Sequence, residues 1–124
     1  LDQHIVCADA LFADWPKANA IIGNLPFLTG YKIRGELGDK YADRLSTGFP
    51  EIKDKTDFCT YWFRLAHKSI EPNSRAGLVG TNSISQGISR KASLEFTVEK
   101  LGYIHDAIST YYQWLKMSIA RCRR

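Results

Sequence analysis

The sequence predicts an α/β domain with a mostly parallel sheet and flanking helices. Three observations carry that expectation. Short apolar runs alternate with amphipathic stretches in the order strand, strand, helix, strand, helix, strand, and such alternation calls for right-handed crossovers between parallel strands. The 124 residues, 44% apolar and 24% charged, suffice for one domain with one core and lack the composition of a disordered chain. Polar turns follow three of the apolar runs, at Ala8-Asp9-Ala10, Asn24 to Phe27 and Thr81-Asn82-Ser83. Ligands of open α/β sheets gather at such carboxyl ends of strands.

Each element has its own signal. HIVC, residues 4–7, reads as a short strand running into a loop that carries Asp9, Asp14 and Pro16. NAIIGN, residues 19–24, is the second apolar run. Residues 36–45 have the make-up of a short helix among glycines and charges. From Thr56 to Ile70, the residues Phe58, Tyr61, Trp62, Leu65, Ala66 and Ile70 recur at helical spacing, with Thr56 or Asp57 placed as the cap and Pro72 beyond the end. That aromatic stripe has the spacing of a packed face, not of a stacking platform. Residues 76–81 read as a buried strand, residues 89–102 as a helix stopped by Gly102, and YIHDAIST, residues 103–110, as the last strand.

Composition excludes several function classes. The longest apolar run is too short to span a membrane, and LDQHIVCADA has no basic lead before an apolar stretch, so it is not a signal peptide. The net charge of +4 is local: Lys116, Arg121, Arg123 and Arg124 account for it, leaving thirteen basic residues against thirteen acidic ones. Cys7, Cys59 and Cys122 form no C-x-x-C pair, which argues against a zinc site or a disulfide framework and for a reducing, cytoplasmic setting. No G-x-x-x-x-G-K-[ST] loop is present, and His67 and His105 stand in no nucleophile-elbow context.

The Asn24-Leu25-Pro26-Phe27 turn has chemistry of its own. Pro26 has a fixed φ and no N–H, and it pushes Leu25 into an extended conformation. The Asn24 side-chain carbonyl and the Leu25 backbone carbonyl can then converge on one small donor such as an exocyclic amine. Phe27 supplies a ring for a planar base, a contact worth ~1–3 kcal/mol. An extruded base needs these two contacts, polar edge and flat face.

The turn closely resembles the Asn-Pro-Pro-Phe or Asn-Pro-Pro-Tyr signature of adenine-specific, S-adenosylmethionine-dependent DNA methyltransferases. The flanks strengthen the resemblance: CADALFADWP is similar to the family's GDAL…DW strand end. FLTGYKIRGELGDKY, DFCTYWFRLAHKSIEP and RAGLVGTNSISQGISRK resemble the region that follows the motif in large restriction–modification enzymes. It covers about residues 4–109 and implies a partial Rossmann-like sheet. By that resemblance Asn24 and the Leu25 carbonyl accept hydrogen bonds from the target amine of adenine in DNA (cytosine being the secondary target). Pro26 holds the turn, Phe27 stacks on the flipped base, and Asp9 meets the adenine ring of the cofactor. Thr81-Asn82-Ser83 falls near the pocket with no assigned role.

Two departures from the family pattern stand out. Leu25 occupies a proline position, which removes a locked φ and adds an N–H. No Asp-Pro-x-x-Gly-x-Gly or Phe-x-Gly-x-Gly cofactor turn occurs in the sequence, and RGELGD does not replace it. The expectation is a fragment, inactive alone: residues 1–110 as a partial catalytic domain and 111–124 as a basic, frame-shifted or disordered tail. DNA is the expected partner, together with a second copy or a complementing chain. The alternative is a non-catalytic nucleic-acid-binding or oligomerising remnant, since an incomplete sheet leaves an exposed edge.

Overall fold

The computed structural model describes residues 4–112 and 115–123. Its elements are β1 (Ala18–Asn24), α1 (Gly30–Leu37), α2 (Asp39–Gly48), α3 (Thr60–Ser69), β2 (Ile70–Thr81), a 3-10 turn (Asn82–Ser85), α4 (Gly87–Arg90), a π turn (Lys91–Glu95), α5 (Phe96–Glu99), β3 (Tyr103–Tyr112) and β4 (Leu115–Arg123). The class is mixed α/β.

The four strands lie in the order β1-β2-β4-β3. β1 and β2 pair in parallel, with Asn24 opposite Val79, whereas β4 runs antiparallel to both β2 and β3. Three strands therefore point one way, as a parallel sheet requires, but only one neighbouring pair is parallel. This corrects the expectation of a mostly parallel sheet, and the cause lies in β4. Tyr112 pairs with Leu115, so β3 and β4 form a hairpin whose second strand takes the place beside β2. β4 occupies the segment that reads as a basic tail. A signal for it exists in Leu115, Met117 and Ile119, which alternate with Lys116, Ser118 and Ala120 at the strand period of two.

Residues 4–7 do not form the expected strand; residues 5–7 are irregular, with Ile5 and Val6 exposed. A strand exists only through a laddered neighbour, and among the described residues none lies beside them. The helix expected over 36–45 is two helices, broken at Gly38 with φ 87°, a conformation glycine adopts at no steric cost. The helix expected from Thr56 begins only at Thr60, without a side-chain cap. β2 starts at Ile70 rather than at residue 76, its ladder slipping between Ala18–Ile70 and Ala20–Arg75 where Asn73 turns to φ 64°. The last helical run ends with Leu101 at φ 65° and the Gly102 N–H on the Thr97 carbonyl.

Two apolar clusters share α3. Leu11, Ile33, Leu45, Phe49, Ile52, Phe58 and Tyr61 join α1 and α2 to one side of it. Leu25, Cys59, Phe63, Ile70, Ala76, Leu78 and Ile84 join the sheet to the other, and Trp62 packs against both. Each large side chain buried here contributes about 1.5–3 kcal/mol. The sheet alternates accordingly: Ala76, Leu78 and Gly80 are buried toward α3, while Ile22 on the other parity of β1 is 90% exposed.

Candidate functional site

The Asn24–Phe27 turn leaves β1 at the carboxyl edge of the sheet. Leu25 is buried in the cluster beneath the sheet, and Leu28 packs against the cluster of α1 and α2. Between these two anchors Pro26 and Phe27 face solvent, as does Asn24, with Phe27 45% exposed. The sequence dictates this alternation: an apolar residue, two residues that cannot both follow it inward, and a second apolar residue at the start of the next packed element.

The N–H that Leu25 adds relative to proline is not an orphan beside the pocket. It donates to the Val79 carbonyl at 2.9 Å and extends the β1–β2 ladder by one rung. Restoring the family's proline by Leu25→Pro removes this donor and part of a buried side chain, so the expected loss is about 2 kcal/mol. A lowered midpoint in urea unfolding checks it; an unchanged midpoint would mean that the rung contributes nothing.

The buried carboxylate that organises the turn is Asp57, which the sequence offers only as a possible helix cap. Its Oδ1 accepts from the Gly30 N–H at 3.0 Å. Its Oδ2 accepts from the Ser83 hydroxyl and lies 3.5 Å from the Thr81 hydroxyl. The Asp57 N–H donates to the Ser89 hydroxyl at 3.1 Å, and the Phe58 N–H to the Leu28 carbonyl at 3.0 Å. Residues 57 and 58 thus hold the far end of the turn, while β2 holds its near end through Val79. A charged residue inside the apolar TDFCTYWF run was the available signal, because a buried carboxylate must find hydrogen-bond donors.

Thr81 and Ser83 are therefore joined through Asp57 to Gly30, three residues beyond Phe27; their hydroxyls lie 2.8 Å apart. Cys59 lies beneath, its sulfur 3.3 Å from the Thr81 hydroxyl, and burial pushes its thiol above the ordinary range. It is a packed thiol rather than a nucleophile.

Asp9 lies apart from these residues, on the loop before β1. It is exposed, and its carboxylate accepts from the Leu11 N–H at 3.0 Å and from the Tyr41 hydroxyl at 2.7 Å. Burial, and then the bond to Asp9, pushes the Tyr41 phenol above its usual range. The Tyr41 ring packs edge-on against Phe58, 6.0 Å between centroids, so the Asp9 loop reaches the Asn24–Phe27 turn through Tyr41, Phe58 and Leu28. Among the described residues no group of three His, Cys, Asp or Glu side chains could hold a metal ion, and no helix is long and apolar enough to cross a membrane.

Comparison with known families agrees with the motif. No curated protein matches the chain. A family model described as MmeI, DNA-methyltransferase domain, matches residues 1–120. With nearly its whole length matched and an Asn-x-Pro-Phe turn at a strand end, the chain belongs to the MmeI DNA-methyltransferase domain family.

Proposed function

We propose that the chain presents the target-base half of a DNA methyltransferase site and receives the exocyclic amine of adenine in DNA. The observation that carries this reading is the turn itself, which exposes Asn24, Pro26 and Phe27 while Leu25 and Leu28 anchor it in two apolar clusters. The Asn24 side-chain carbonyl and the Leu25 carbonyl accept the two amine protons, which fixes the nitrogen and leaves its lone pair directed outward. Phe27 stacks on the base, and Pro26 keeps the acceptors in place. These residues act by positioning and by favouring the positive charge that develops on the amine.

S-adenosylmethionine, the donor usual for methyltransferases, would supply an electrophilic methyl group. Asp9 fits the adenine side of that donor: a carboxylate has about four acceptor positions, and the two bonds to Leu11 and Tyr41 leave room for an amine. No glycine turn in the sequence fits the rest of it. The reading is therefore of a base pocket inactive in methyl transfer alone, completed by a Rossmann-like segment that residues 1–124 do not contain.

Two titrations test this. Calorimetry with S-adenosylmethionine should give no one-to-one micromolar binding; such binding would sink the inactive-alone reading. An adenine-containing single-stranded oligonucleotide should bind, and Phe27→Ala should weaken it by about 5- to 150-fold, the equivalent of one stacked base. Equal binding by the parent and Phe27→Ala would remove the base pocket.

A further inference from the structure

A second feature lies one residue from Asp57, at Thr56. There a cleft of about 210 Å³ opens between the loop before α3 and the π turn, lined among others by Glu51, Lys53, Thr56, Arg64 and Lys91. Its charge is unbalanced. Lys53 and Lys91 are exposed, and neither ammonium has an acidic partner among the described residues. Arg64 forms the floor, with its side chain only 11% exposed. Its Nε donates to the Ala92 carbonyl at 2.6 Å, and its guanidinium lies 3.6 Å above the Phe96 ring. Those contacts hold the group in one orientation.

Two acids act on Arg64, Glu51 and Glu99, and of these Glu51 alone comes within ion-pair distance among the described residues, as a weak partner. Glu51 is half exposed and stands 3.6 Å from Nη1, well beyond the roughly 2.7–2.9 Å of a charge-assisted bond. A guanidinium withdrawn from water gains most from a close, bidentate anion. Glu51 can swing into solvent without leaving a buried charge of its own. The cleft thus combines a fixed Arg64 fork, two unpartnered lysines and a displaceable carboxylate.

We propose that this cleft holds a backbone phosphate of the DNA whose base enters the Asn24–Phe27 turn, an assignment that rests on the base-pocket reading above. Position favours a DNA phosphate over a free anion. Lys53 sits on a turn closed by the Thr56 hydroxyl on its own carbonyl, 2.7 Å away, and Asp57 follows immediately. At most ~14 Å of chain separates Lys53 from Asp57, whose carboxylate holds Gly30, three residues and at most ~11 Å of chain beyond Phe27. Together these bound the reach to Phe27 at roughly 28 Å, about eight nucleotides at about 3.4 Å of rise each. A phosphate contact here sets the register of the strand; the turn selects the base.

The test is fluorescence anisotropy of the full chain with a short labelled DNA duplex at several salt concentrations. The double variant Lys53→Gln/Lys91→Gln is compared with Lys40→Gln/Lys100→Gln, which makes the same charge change on two other exposed lysines. Losing the one phosphate that the cleft neutralises should flatten the salt dependence, so that the affinity lost between about 50 and 200 mM salt shrinks roughly 3.5-fold. The control should change far less. Unfolding midpoints of both variants should match the parent, since all four side chains are exposed.

Equal slopes for the two variants would overturn the cleft while leaving the base pocket standing. Failure of the parent to bind DNA even at the lowest salt would sink both, whereas loss of binding in Phe27→Ala with the lysine effect intact would support both. Inorganic phosphate titrated at constant ionic strength separates the sources. Lysine-dependent phosphate binding without lysine-dependent DNA binding would mark a free-anion site and overturn the proposal.

Discussion

Gly30→Ala is expected to destabilise the fold by about 3 kcal/mol, at the upper end of ordinary overpacking effects. A methyl group on Gly30 would sit 2.1 Å from both the carbonyl carbon and the oxygen of Lys55. Neither atom belongs to a flexible side chain, so relief requires backbone movement. The Lys55 segment has little freedom to move: Lys55 holds φ 69°, and Thr56 closes back onto Lys53 by both its N–H and its hydroxyl. The close approach exists because the Gly30 N–H must reach Asp57. Pushing the strands of chain apart therefore breaks that hydrogen bond as well. Urea unfolding measures the loss, and a variant as stable as the parent would show that the two segments are not in contact. Gly35→Ala provides the comparison, since a methyl group there meets nothing within 4 Å; it should be neutral or slightly stabilising, as expected in a helix.

Asp57→Ala should have an effect of similar size, about 3 kcal/mol, by a different route. It leaves the Gly30 N–H and the Ser83 and Thr81 hydroxyls facing a void at the carboxyl edge of the sheet. Asp57→Asn should cost less than half as much. Its amide oxygen can still accept from Gly30, and its NH2 can donate to hydroxyl oxygens that also accept. The measurement that separates positioning from bulk stability is amide hydrogen exchange at Gly30 and Leu25. Asp57→Ala should accelerate exchange at Gly30 more than at Leu25, whose partner is the Val79 carbonyl. Equal acceleration at both would make Asp57 a general stability residue with no particular hold on the turn.

The turn was legible in the sequence because its chemistry is local. Pro26 restricts the backbone on both sides of itself, and Asn24 and Phe27 flank it without needing a partner to be recognised. α3 was legible for a related reason: its aromatic spacing records the face that it buries. The restriction that Pro26 places on Leu25 is local, yet the fate of the Leu25 N–H depends on how far β2 extends, which no local pattern records. Asp57 illustrates the opposite case. Its neighbours in sequence suggest a helix cap, whereas its partners Gly30, Thr81 and Ser83 come from two other segments more than twenty residues away.

The sheet divides along the same line. The segments of β1, β2 and β3 follow from apolar runs, and their shared direction follows from the crossovers between them. The order of neighbours does not, because a strand alternating at period two pairs equally well by pattern with either flank of a sheet. That β4 enters between β2 and β3 is decided by the hairpin bringing it back against β2. The sequence by itself determined the class of the fold, the motif and the helix that supports it, since each is written in residues close together along the chain. Only the tertiary structure decided which buried groups hold the motif and where β4 lies. Hydrogen-bond satisfaction and strand pairing join residues distant in sequence, and a buried donor accepts whichever partner the packing brings within about 3 Å.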